Sequence, residues 1–163
     1  MHMIVLLAVF ALVSPQFAPG AQLKPAQVWN RDGCHGENRS PALRWTGAPA
    51  RTKSLALGVF DPDAGAAGWW HWIVYDIPPA RTALPTNVAP TSGDFQQGVN
   101  DFGVSGYGGP CPPSGPAHHY VFTLYALDVA RLGAGRALHG SQFRGLLRDH
   151  VVATATLTGI YGR

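Results

Sequence analysis

Three short stretches of the chain concentrate side chains that titrate or hydrogen-bond near neutral pH: Asp61-Pro62-Asp63, Trp69-Trp70-His71-Trp72 and His118-His119-Tyr120. Carboxylates beside imidazoles support three chemistries. They hold a metal ion, pass a proton between acid and base, or present imidazolium N–H groups to an anion. Each stretch also has a plainer use. Asp-Pro-Asp alone is a turn, because Asp bonds its own backbone and Pro presets φ. A lone histidine on a strand is a satisfied structural group, and the tryptophans taken singly are core or rim packing. What joins the three is their position, since each falls where a strand meets a loop. Brought together, they would make a small polar pocket rimmed by indole rings. The Gly/Pro-rich residues 106–116 would add inward-pointing backbone N–H groups as an anion nest.

The elements that must position these groups are mostly strands. Residues 52–60 read as a strand that stops at Asp61-Pro62-Asp63. Residues 70–77, dense in aromatic and β-branched types, form a second strand stopped by Pro78-Pro79. Period-two geometry puts His71, Ile73 and Tyr75 on one face of it. A third strand over 119–128 follows the Gly/Pro-rich stretch, and His118, Tyr120, Phe122 and Leu124 share a face. Ser141 is placed to cap a short helix with Phe143, Leu146, Leu147 and His150 as its packing stripe. Then Ala153, Ala155 and Leu157 alternate with Thr154, Thr156 and Thr158, a final strand with one wet face. The fold class is mainly β with minor helix.

Composition bounds the function. The 163 residues suit one domain with a real core, and neither repeat nor linker divides them. Charged residues are only 13%, against about 25% in typical domains, so the chain is no disordered tail. Twenty Gly and 14 Pro favour turns and short strands over long helices. A net charge of +3 with no basic stripe argues against nucleic acid as a partner. No stretch is apolar enough for a membrane span. Residues 4–13 are an apolar run with no preceding Lys or Arg, and read as a buried first strand bounded by Ser14-Pro15 rather than a secretory signal. Two cysteines are too few for a disulfide scaffold; one bridge or two free thiols both fit.

In order and spacing, Asp61-Pro62-Asp63-Ala64, Gly68-Trp69-Trp70-His71-Trp72-Ile73-Val74 and Gly106-Tyr107-Gly108-Gly109-Pro110-Cys111-Pro112-Pro113 resemble the phosphatidylethanolamine-binding proteins. The chain is more narrowly similar to their bacterial, Raf-kinase-inhibitor-like branch, through residues 33–43 and 155–159 as well. The resemblance runs from about Phe10 to the end and implies a single domain, 1–163, with a large antiparallel sheet packed on a smaller one and a short C-terminal helix. It also implies that residues 10–17 hold the first strand, and that the ligand pocket comprises Asp61, Asp63, His71, Pro112, His118 and Tyr120, with Trp69, Gly109 and Cys111 at its rim. Three departures bear on access: Gly65 where the family usually has Pro, His119 where many members carry Arg, and a shorter stretch over 85–97.

On this footing the expected activity is binding of a small anion or phosphate head group, with no cofactor and no metal. Imidazole N–H groups of His71 and His118, the Tyr120 hydroxyl and loop amides would donate to the anion, while Asp61 and Asp63 orient the imidazoles. Rival readings are a hydrolase using the Asp/His pocket, with Cys111 a weak nucleophile candidate, and an inhibitor of a kinase or protease acting through surface loops. Cys34 and Cys111, in loops near the inferred site, are expected either to form one disulfide pinning the proline loop or to be two buried thiols. A cytoplasmic setting is favoured over a periplasmic or secreted one.

Overall fold

The structure is a computed structural model and describes residues 8–91, 93–135 and 137–163. Its strands are β1 (Ala11–Val13), β2 (Leu43–Thr46), β3 (Ser54–Asp61), β4 (Trp69–Ile77), β5 (Ala83–Leu84), β6 (Gln96–Gln97), β7 (His118–Leu127) and β8 (Val151–Tyr161), with one helix, α1 (Gly140–Leu147). They form a small sheet in the order β1-β2-β5 and a large one in the order β6-β4-β3-β7-β8, with antiparallel pairing between named strands.

Strand β3 lies at the centre of the large sheet and is buried almost throughout, which explains its near-continuous apolar run. On one face Leu55, Leu57, Val59, Phe122 and Leu124 meet Leu12, Leu43, Trp45 and Leu84 of the small sheet. On the other, Ala56, Ile73 and Leu127 pack under Phe143 and Leu147 of α1. Strand β8 is the edge, and there Ala155 and Leu157 are buried while Thr154 and Thr156 face out.

The first strand is shorter than expected. Of residues 8–13, Ala11–Val13 pair with β2 and Leu12 is buried, whereas Val9 and Val13 are exposed; residues 4–7 lie outside the described residues. The helix also differs from expectation. Its N-terminal flanking residue is His139, not Ser141, and the His139 N–H donates to Gln142 Oε1 at 3.2 Å. Gly140 rests on the Trp70 indole where a Cβ has no room, which fixes where the first turn can begin. His150 lies beyond the last turn and pairs through Nδ1 with Asp128 at 2.9 Å, so it is not part of the packing stripe.

The most consequential difference is in β4. Val59 pairs with Trp72 but Phe60 pairs with Trp70, so His71 is an extra residue in a β-bulge. The bulge reverses alternation. Trp70 joins Ile73 and Tyr75 in the helix-side core, while His71 turns to the opposite side against Tyr120, with ring centroids 5.0 Å apart. The expected shared face for His71, Ile73 and Tyr75 is therefore broken. A neighbouring loop satisfies the backbone groups there: Trp70 N–H donates to Asp101 Oδ2 at 2.7 Å, Asp101 N–H to the Trp70 carbonyl at 2.9 Å, and Gly108 N–H to the His71 carbonyl at 2.8 Å.

Candidate functional site

A cavity of about 420 Å³ opens where the end of β3 meets the starts of β4 and β7. Asp61 and Asp63, Trp69 and His71, and His118 and Tyr120 reach it from these strands, and Cys111, Pro112 and Pro113 close one wall. All six residues of the expected ligand set thus line one cavity, with Trp69 and Cys111. Gly109 does not. It sits behind the wall, pressed on the Gln27 carbonyl where a Cβ has no room, and its N–H donates to Asn38 Oδ1 at 2.7 Å.

His118 enters from the first position of β7, and its Nδ1–H donates to Asp61 Oδ2 at 2.7 Å. Asp61 is itself 2% exposed, and its Oδ1 accepts the Asp63 N–H at 2.8 Å, an Asx turn that locks the carboxylate. With Nδ1 committed, Nε2 is the nitrogen left for a guest. His71, 3% exposed, donates its Nδ1–H to the Gly108 carbonyl at 2.7 Å. Burial pushes its imidazole pKa down, against the opposing pull of the Gly108 carbonyl and the Asp61 and Asp101 carboxylates. With Nδ1 given to Gly108 and burial disfavouring the imidazolium, Nε2 is the nitrogen left over on this ring.

Tyr120 is 1% exposed, and its hydroxyl has no hydrogen-bond partner among the described residues. Burial first, and then the Asp61 carboxylate, raise its pKa, so it keeps its proton. Trp69 Nε1 is likewise buried without a partner. Two such buried donors are unusual, since leaving one unpaired costs about 1–3 kcal/mol.

Two expected roles change. Asp63 orients neither pocket histidine; its Oδ2 accepts from the backbone N–H and the Nδ1 of His119, both at 2.8 Å. That imidazole holds the Asp63 carboxyl below its usual range. Most of the 106–116 loop's amides are also missing or engaged, which leaves little of the expected anion nest. Pro110, Pro112, Pro113 and Pro116 have no N–H, and the amides of Gly106, Gly108, Gly109 and Gly115 already donate to Gly98, His71, Asn38 and Arg163.

What the loop supplies is a stiff wall. Cys34 and Cys111 are joined in a disulfide across 77 residues, a closure that stabilises by about 4 kcal/mol on the chain-entropy account. Arg163 adds a clamp, its Nε donating to the Pro112 carbonyl at 2.6 Å and Nη1 to the Gly33 carbonyl at 3.1 Å. Phe102 was not foreseen as a site residue. It lines the cavity, stacks on Trp29 at 4.1 Å and meets Trp69 and His71 edge-on. Its place in a Gly-terminated turn held by Asn100 Oδ1 carries no periodic signal. Among the described residues no group of three His, Cys, Asp or Glu is arranged to hold a metal ion.

The comparisons with known proteins agree with this architecture. The family model described as phosphatidylethanolamine-binding protein matches residues 13–162. The UPF0098 protein YbcL of Escherichia coli is 40% identical over 161 residues, covering 94% of this chain and 88% of its own. A UPF0098 protein of Methanothermobacter thermautotrophicus is 45% identical over 141 residues, covering 84% and 91%. The crystal structure of YbcL, described as a new member of the mammalian PEBP family, superposes with a TM-score of 0.90 at 38% identity, covering 94% of this chain and 98% of that one.

Proposed function

This chain belongs to the phosphatidylethanolamine-binding protein family, and from that premise we propose that its cavity binds a small phosphate-bearing anion. The observation that carries the reading is one cavity lined by Asp61, His71, His118 and Tyr120, in which the Asp61 carboxylate holds the His118 Nδ1–H at 2.7 Å. The donor this arrangement offers is His118. With Nδ1 on Asp61, its Nε2 is the nitrogen that meets a guest, and it donates to an anion when the ring carries both protons. Asp61 therefore works behind the imidazole, where its charge does not face the guest.

Calorimetric titration of inorganic phosphate at about pH 5.5 and about pH 8 tests this. Affinity is expected to be higher at the lower pH in the wild type; no detectable binding at millimolar phosphate sinks the reading. We read the site as binding rather than hydrolytic because Cys111, the nucleophile candidate, has its sulfur in a disulfide. An esterase and phosphatase screen checks that. A disulfide also persists best in an oxidising compartment, which favours the periplasm or cell exterior over the cytoplasm expected from sequence. Regulation of a partner kinase or protease is the finer extension of this reading. The exposed residues 65–67 beside the cavity are where such a partner would sense its occupancy. A pull-down comparing wild type with His118→Ala tests it: loss of the partner links it to the pocket.

A further inference from the structure

Beyond anion binding, and without depending on it, we propose that Cys111 is an exchange site: a small thiol entering the main cavity opens the Cys34–Cys111 bond and is held there as a mixed disulfide. The two sulfurs are not equivalent. Cys111 is half-buried and lines the cavity of about 420 Å³ with Pro112 and Pro113. Cys34 is 4% exposed and packs with Val28 and Trp29. It also borders a second recess of about 270 Å³ beside Arg163, but at that exposure a thiol arriving there meets a covered sulfur. Exchange depends on which sulfur can be reached, so the cavity side is the side attacked.

The step needs no reagent other than the thiol. The incoming thiolate forms a bond to Cys111 Sγ, the Cys34–Cys111 bond breaks, and Cys34 leaves with the electron pair and takes up the proton the thiol gave. Cys34 then stays beside the adduct and recloses the bond by the reverse attack, so the modification is reversible. Opening the bond does not release the wall, because a second brace spans the same two loops. Arg163 donates from Nε to the Pro112 carbonyl at 2.6 Å and from Nη1 to the Gly33 carbonyl at 3.1 Å, on the residues next to Cys111 and Cys34. Trp29 N–H donates to the Pro110 carbonyl at 3.0 Å, and Gly109 N–H to Asn38 Oδ1 at 2.7 Å. These bonds cross between the segments that the disulfide joins, so the cavity outlasts the covalent link.

The experiment treats the whole wild-type chain with reduced glutathione near neutral pH, quenches with acid and maps the peptides by mass spectrometry. Cys111 is expected to carry at least about tenfold more glutathione than Cys34, with the near-ultraviolet circular dichroism of the fold retained. Cys34→Ser, which leaves nothing to reclose the bond, is expected to keep the adduct after treatment with glutathione disulfide, whose other half departs as glutathione. Adduct mainly on Cys34, none on Cys111 in either protein, or adduct only in unfolding urea each overturns the proposal. Inorganic phosphate at millimolar concentration is expected to slow the modification of Cys111. Modification at an unchanged rate supports the exchange site and counts against the anion reading, so the two fail separately.

Discussion

Two neighbouring histidines on β7 make the same bond to two aspartates on the same turn, yet only one pair can serve a buried site. His118 meets Asp61 at 2.7 Å with side chains 16% and 3% exposed; His119 meets Asp63 at 2.8 Å with side chains 57% and 41% exposed. Adjacent strand residues point to opposite sides, so one imidazole enters the cavity and the next stands in solvent. Water screens the outer pair and contributes competing hydrogen bonds, so its worth is small. Inside, the same contact lacks that competition, and losing one partner strands the other. Identical chemistry one residue apart thus yields a buried dyad and a surface bond.

The sharpest way to break this comparison is to remove each carboxylate in turn. Asp61→Ala is expected to lower stability by about 3 kcal/mol in urea unfolding and to abolish phosphate binding, while Asp63→Ala changes stability by less than about 1 kcal/mol. Equal costs would erase the distinction. Next in size is Tyr120→Phe, which removes the orphan hydroxyl. Phosphate affinity is expected to fall about tenfold, while stability without phosphate holds or rises by up to about 1 kcal/mol. A hydroxyl that served only the fold would give a loss of stability instead.

A smaller effect concerns pH. The folded pKa of His71 is below the unfolded imidazole value, so the unfolded chain binds the extra proton first and stability falls as pH drops below about 6.5 towards the folded value. Urea midpoints between about pH 7 and about pH 5 are expected to decline less in His71→Gln than in the wild type. The smallest expected effect is outside. The Asp63 carboxyl, held down by His119, contributes stability above its usual range that is lost as pH falls through its lowered folded value. A carbon NMR titration is expected to find its midpoint below 3.8, and His119→Ala to move it only part of the way back, because the backbone N–H of residue 119 still donates to Asp63.

Much of the site was legible along the chain, in specific places. Alternation on β7 correctly put His118, Tyr120, Phe122 and Leu124 on one side, because a regular strand between paired neighbours preserves period two. The same rule failed for His71, because one inserted residue at the bulge reverses every inference drawn across it. Phe102 escaped notice because its role comes from stacking on Trp29, 73 positions away by their numbers in the chain. The helix start was misplaced because Gly140 is dictated by the Trp70 ring beneath it and not by a local capping preference.

Sequence alone therefore determined the residue types of the pocket, the strands that carry them and the mainly β class, since these follow from local composition and spacing. Tertiary structure alone decided which nitrogen of the His71 and His118 rings is left over, which aspartate is buried and that the Tyr120 hydroxyl has no partner among the described residues. Those properties belong to pairs of groups brought from distant positions, and hydrogen-bond satisfaction and desolvation do not exist until both members are in place.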